Sequence, residues 1–221
     1  MFSKKETVSI VLCSIFVGFA LSFWHFLSAS AGVIDEANFL FIFLVMFLFI
    51  FLIILINSCA KKVAAYYFDS DLEVRIWEIK RWGYRPSNYF KTPLMAGIIF
   101  PLMTSFLSVG YFTWLAPLVF DCKENKYRVS KRHGYNSFFS MNEFHIGAIA
   151  AFGLIANLFF AYIGYLIGYH EFSRLSLCFV FFNIIPFSDL DGAKILFGNV
   201  ALWVLMFVVS LIGLLLALLV F

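Results

Sequence analysis

Residues 182–192 read Phe182-Asn183-Ile184-Ile185-Pro186-Phe187-Ser188-Asp189-Leu190-Asp191-Gly192, so an amide, a proline and two carboxylates close an otherwise apolar segment. Pro186 has no N–H to donate to the carbonyl of Phe182, and a helix running into it must open there. A carboxylate at membrane depth costs about 2.5–3.5 kcal/mol on the insertion scale and needs a cation, a proton or a metal beside it. The simpler reading is that Asp189 and Asp191 cap the next helix next to water, with Asp191 serving the helix that begins at Gly192. The surroundings of the segment decide between the two.

Those surroundings are lipid-like. Of 221 residues, 63% are apolar and 13% charged, and the mean hydropathy is +0.94. Soluble domains lie near 45–50% apolar and about 25% charged. The balance excludes an ordinary soluble domain, a disordered chain and a nucleic-acid binder, and makes the bilayer the first partner. The net charge of +3 and the 31 phenylalanines identify no ligand. Five apolar runs read as spans of one integral membrane domain over 1–221, at 8–27, 39–56, 144–168, 172–190 and 195–221. The first also has the flanks of a signal peptide, with Lys4 and Lys5 before it and Ala29-Ser30-Ala31 after it. Its length exceeds the usual apolar core of about 7–15 residues, so a retained span is expected.

Residues 93–120 are too long for one straight span and too short for two, and Pro101, Gly110 and Pro117 interrupt them. A re-entrant helical hairpin fits, as does one kinked, tilted span. Charge favours the hairpin. With the N-terminus inside and the hairpin re-entering, all of the 16 Lys and Arg except Arg174 fall on the cytoplasmic side. The C-terminus then lies outside. Within 69–84, Leu72, Val74 and Ile76 alternate with Asp71, Glu73 and Arg75, which is strand periodicity with one buried face. A short β-hairpin or extended segment at the cytoplasmic surface is expected, with Trp77, Trp82 and Tyr84 at the interface. Cys13, Cys59, Cys122 and Cys178 form no C-x-x-C and read as small apolar side chains.

The pattern N-x-x-P-x-x-x-L-D-G, carried by Asn183, Pro186, Leu190, Asp191 and Gly192, resembles the third signature of the site-2 proteases, which are intramembrane zinc metalloproteases. In that family the Asp binds zinc and the Asn helps to bind substrate or the oxyanion. A second signature, G-P-x-x-N, is partly present as Gly153, Ala156 and Asn157, with Leu154 in place of proline. The resemblance covers most of residues 40–200 and implies an all-α multi-pass fold with a helical core, a small membrane-associated β element and a re-entrant hairpin. It also implies a prokaryotic plasma membrane.

The first signature of the family is H-E-x-x-H, two imidazoles on one helix face with a carboxylate base between them. Here the corresponding residues are Asn57-Ser58-Cys59-Ala60-Lys61. Neither Asn57 nor Lys61 is a credible zinc ligand, and Ser58 cannot replace the base. His25, His133, His145 and His170 form no pair at helical spacing. The resemblance therefore implies the fold without the chemistry: no catalytic residues, no metal and no cofactor.

Lys61 stands at the second imidazole position, and its ammonium is expected to neutralise Asp191 in place of the metal. The alternative is that Lys61, like Lys62, snorkels to headgroups. Gly153 and Asn157 are expected to pack helices or to contact a guest, and Asn157 and Asn183 to hydrogen-bond between helices or to a guest backbone. The function expected is the binding or regulation of membrane helices or of a partner protein, with no nucleic acid. Two rivals remain: an active zinc endopeptidase with atypical ligands such as His145, Cys59 and Asp191, and a transporter or channel using Asp191 as an ion site.

Overall fold

The computed structural model describes residues 2–30, 36–81, 89–125, 127–128 and 141–219. The elements in chain order are α1 (Lys4–Ser30), α2 (Glu36–Tyr67), β1 (Ser70–Ile76), β2 (Ile79–Arg81), β3 (Tyr89–Leu94), α3 (Ala96–Leu107), β4 (Leu118–Glu124), α4 (Glu143–Ile167), α5 (His170–Ile184), α6 (Asp191–Gly198) and α7 (Val200–Leu219). Four of the helices are long and apolar enough to cross a membrane: within α1 (Lys4–Phe23), α2 (Asn38–Tyr67), α4 (Glu143–Ile167) and α7 (Val200–Ala217). Their outward faces are apolar. Leu40, Phe41, Leu44 and Leu48 of α2 and Val204, Leu205, Val208 and Leu211 of α7 are exposed. Such faces are compatible with an integral membrane protein.

The chain groups into two compact units, Met1–Leu52 with Arg75–Val119, and Ile53–Val74 with Phe120–Phe221. In the first unit, α1 starts with a reciprocal cap. The Ser3 N–H donates to Glu6 Oε2 at 2.6 Å and the Glu6 N–H to Ser3 Oγ at 3.3 Å. A Cβ on Gly18 would lie 2.9 Å from Phe47 Cα, so α1 and α2 cross closely there. The Ser105 hydroxyl donates to the Ala20 carbonyl at 2.6 Å and ties α3 to α1.

Several boundaries differ from the sequence expectation. The second apolar run does not end as a helix at residue 56: α2 continues to Tyr67. Ala60, Lys61, Lys62, Ala64 and Ala65 propagate a helix well, and no glycine or proline interrupts them. Residues 93–120 hold one helix, not two. α3 covers Ala96–Leu107, about 18 Å, and the return through 111–117 has no regular secondary structure before β4. Val109 (φ 56°) and Gly110 (φ 85°) turn the chain out of the helix, and Pro117 cannot donate within a second one. The run 172–190 is helical only to Ile184, the end of the 15-residue helix α5 (His170–Ile184), about 22 Å long, because Pro186 stops it. The run 195–221 is split at Asn199 into the end of α6 and α7.

The β expectation is changed in its pairing. β1 pairs with β4, and β2 pairs antiparallel with β3, in two separate two-stranded sheets. The alternation within β1 is as the sequence implied: Leu72 and Val74 are buried while Asp71 and Glu73 are exposed. Trp77 is fully buried, not interfacial. Its N–H donates to the Pro117 carbonyl at 3.0 Å and its carbonyl accepts from the Gly97 N–H at 2.9 Å. Trp82 and Tyr84 lie outside the described residues, as does His133.

In the second unit α6 runs antiparallel to the first half of α4. A Cβ on Gly198 would lie 2.8 Å from the Glu143 carbonyl oxygen, and one on Gly147 would lie 2.9 Å from that of Lys194. These missing side chains let the two backbones touch. Gly192 is the tightest point, since a Cβ there would meet the Ile184 carbonyl oxygen at 2.0 Å. Gly192→Ala must move the 184–192 turn. The expected cost is about 1–3 kcal/mol or more, read as a lowered midpoint of unfolding in detergent, with Ala193→Gly as a milder control.

Candidate functional site

The site is assembled from α2, α4, the end of α5 and the first turn of α6, all within the second unit. Asn57 and Lys61 are four residues apart on α2 and share one face. Opposite them on α4 is Gly153. A Cβ on this glycine would stand 2.7 Å from Lys61 Cε, 2.8 Å from Lys61 Cγ and 3.0 Å from Asn57 Nδ2. The absent side chain is thus the groove in which the lysine stem lies. Asn157 follows Gly153 by one turn and is fully buried.

The pairing that the sequence led us to expect is present. Lys61 Nζ donates to Asp191 Oδ2 at 2.6 Å, with side-chain exposures of 6% and 0%. Asp191 opens α6, so the positive end of the helix dipole also favours its carboxylate. The Lys61 ammonium lies 4.9 Å from the centroid of the Phe120 ring, and that of Lys194 lies 3.7 Å from it. Lys194 also donates to the Phe120 carbonyl. The Phe120 ring therefore lies beside two ammonium groups that share one carboxylate region.

Lys194 sits in α6, outside the four candidate spans. Burial pushes its ammonium down to about 8, against the opposing pull of Asp191. It lines an open cavity of about 280 Å³ with Glu143, Ile146, Ser188, Asp189, Ala193 and Phe197.

The other sequence candidates are placed as follows. Asn183 is buried, and its Nδ2 donates to the Phe179 carbonyl of its own helix at 2.8 Å. Pro186 ends α5, and Ile184 keeps its carbonyl satisfied by Trp203 Nε1 at 3.0 Å. Ser58 is buried on α2 next to Asn57. His145 is spent in the cap of α4, where its Nδ1 accepts from the Asn142 N–H at 3.3 Å, and its ring lies 5.1 Å from that of Phe68. It stands two turns from Gly153, so it does not join Asp191. Cys59 is half-buried. Among the described residues no three His, Cys, Asp or Glu side chains converge as metal ligands.

A divalent metal here would meet a single carboxylate, whose Oδ2 is already held by the Lys61 ammonium, and amide side chains in place of further ligands, which is a poor fit. Sequence reasoning missed Lys194 and Phe120. Lys194 was legible, because it follows Asp191 by three residues on a helix face. Phe120 was not, being one phenylalanine among 31.

Comparison of the chain with family models, with curated proteins and with solved structures gave no match in any of the three. The assignment of the site therefore rests on its own geometry.

Two outcomes are expected from this geometry. Removing one partner of the buried pair, by Lys61→Met or Asp191→Asn, lowers stability by about 3–5 kcal/mol. The double variant recovers a large part of that loss, and additive losses in the cycle would refute the coupling. Lys194 is depressed in the folded chain, so the unfolded chain binds the extra proton between about pH 8 and its ordinary value of 10.5. Stability should rise with pH through that window, and Lys194→Met should flatten the rise in pH-dependent unfolding.

Proposed function

We propose that this chain is a non-proteolytic relative of the site-2 proteases, in which the metal centre has been replaced by the Lys61–Asp191 pair. It binds or regulates membrane helices or a partner protein without cutting them. The single observation that carries the reading is the Lys61 ammonium, 2.6 Å from the carboxylate that resembles the family's aspartate ligand. Gly153 adds support, because its groove is filled by the lysine stem and not by a ligand set.

The depth of the pair agrees with an origin as an intramembrane site. Phe68 and His145 touch, which levels the end of α2 with the start of α4. Asp71, Asn142 and Glu143, next to these two ends in the chain, are exposed, and in this reading they mark the water-facing rim. From the rim, Lys61 is seven residues along α2 and Gly153 eight along α4, about 10–12 Å. With the rim at the headgroups, the pair lies within the hydrocarbon, where an isolated charge is costly and a neutral pair is tolerated.

In this proposal the rim is cytoplasmic, the N-terminus lies inside and the C-terminus outside a plasma membrane. α3, too short to cross, enters and returns on one side with the limb that follows it, which is the re-entrant element. The open turn at 185–190 and the exposed Phe187 are where a guest segment docks.

Protein purified without chelators and analysed for metals is expected to contain no stoichiometric zinc and to leave membrane-embedded peptides uncut. One zinc per chain, lost in Asp191→Ala, would replace this reading with a working peptidase. Photo-crosslinkers introduced at Phe187 are expected to trap a membrane segment, and those at Leu48, on the lipid-facing side of α2, are not.

A further inference from the structure

Four polar atoms beside the ion pair have no hydrogen-bond partner in the protein. They are Asp191 Oδ1, Asn57 Nδ2, and both Oδ1 and Nδ2 of Asn157, each enclosed by the bundle. Buried polar side-chain atoms nearly always have a partner, from protein or from ordered water. Four such atoms on three neighbouring residues are a cluster, not scattered exceptions.

The chemistry of the four atoms selects the occupant. Two are acceptors, Asp191 Oδ1 and Asn157 Oδ1, and two are amide donors, Asn57 Nδ2 and Asn157 Nδ2. A bare cation would satisfy the acceptors but face two N–H donors and the Lys61 ammonium. A bare anion would satisfy the donors but face the Asp191 carboxylate. Only a ligand that donates and accepts at once completes all four.

A peptide amide and water both meet that requirement. Enclosure separates them: Asp191 and Asn157 are 0% exposed, and Asn57 is 4% exposed. No polypeptide reaches such a place without opening the bundle, whereas water fits a polar space the size of one molecule.

We infer that these atoms line a small chamber holding ordered water, which donates to Asp191 Oδ1 and Asn157 Oδ1 and accepts from Asn57 Nδ2 and Asn157 Nδ2. The waters are structural ligands of the ion pair: they complete the hydrogen bonding of a carboxylate that Lys61 satisfies on one oxygen only. This inference requires only the burial and bonding of the four atoms, so it stands or falls apart from the kinship proposed above.

The full chain, crystallised in a lipidic phase at a resolution that shows solvent, should display spherical density within hydrogen-bond distance of Asp191 Oδ1 and of the Asn157 amide. In detergent, the Asn157 side-chain amide protons should show nuclear Overhauser contacts to long-lived water. Asn157→Leu, similar in volume, should unfold at a temperature several degrees lower, because it strands the waters on the remaining partners. A dry chamber without water contacts to Asn157, or an Asn157→Leu chain as stable as the parent, would overturn the proposal. Density continuous with a polypeptide, or an anomalous scatterer at the site, would overturn it in favour of a peptide guest or a metal. None of these outcomes decides whether the chain is a pseudoprotease, which the metal and cleavage measurements address.

Discussion

An ammonium and a carboxylate, 2.6 Å apart and almost wholly removed from solvent, set the terms for the second unit of this protein. Neither charge is tolerable there alone. Taking an ion out of water costs several kcal/mol even after relaxation, and the attraction between the partners offsets this only with good geometry. The fold supplies that geometry by removing bulk. Gly153 yields its side-chain volume to the stem of Lys61. Gly192 lets the first turn of α6 press on the carbonyl of Ile184, which fixes where Asp191 points. Gly147 and Gly198 allow α6 to lie against α4 along its length.

Proline and the polar loop contribute the other constraint. Pro186 ends α5 after 15 residues, so the chain must turn and start again with α6. Without that break, Asp191 would continue along the α5 axis and not stand at a helix start, where the backbone dipole favours its charge. The carbonyls freed near the break are taken up locally, as where Trp203 reaches Ile184. An opened helix inside an apolar bundle is stable only when such partners are at hand.

Around the pair several polar groups are engaged with their neighbours. Lys61 spends its proton-donating capacity on Asp191, Lys194 spends part of its own on the Phe120 carbonyl, and Asn183 donates back into α5. His145 is engaged in the α4 cap.

Much of this was legible in the sequence, and the reason differs from part to part. The apolar runs marked helices long and apolar enough to cross a membrane, because hydropathy over about 20 residues needs no tertiary context. Asn57 and Lys61 share a face by spacing alone, and a buried aspartate demands a counter-charge, so their meeting was inferable from electrostatics. What the sequence could not decide were features set by contact between distant elements. The end of α2 was hidden because its last turns keep helix propensity while losing the apolar signature of the preceding run. The partner of β1 turned out to be β4, some 50 residues on, because strand pairing is chosen by what packs nearby and not by alternation within one strand. The roles of Gly153, Phe120 and Lys194, and the unpartnered amide of Asn157, exist only where several helices meet, and no single stretch of chain records such a meeting.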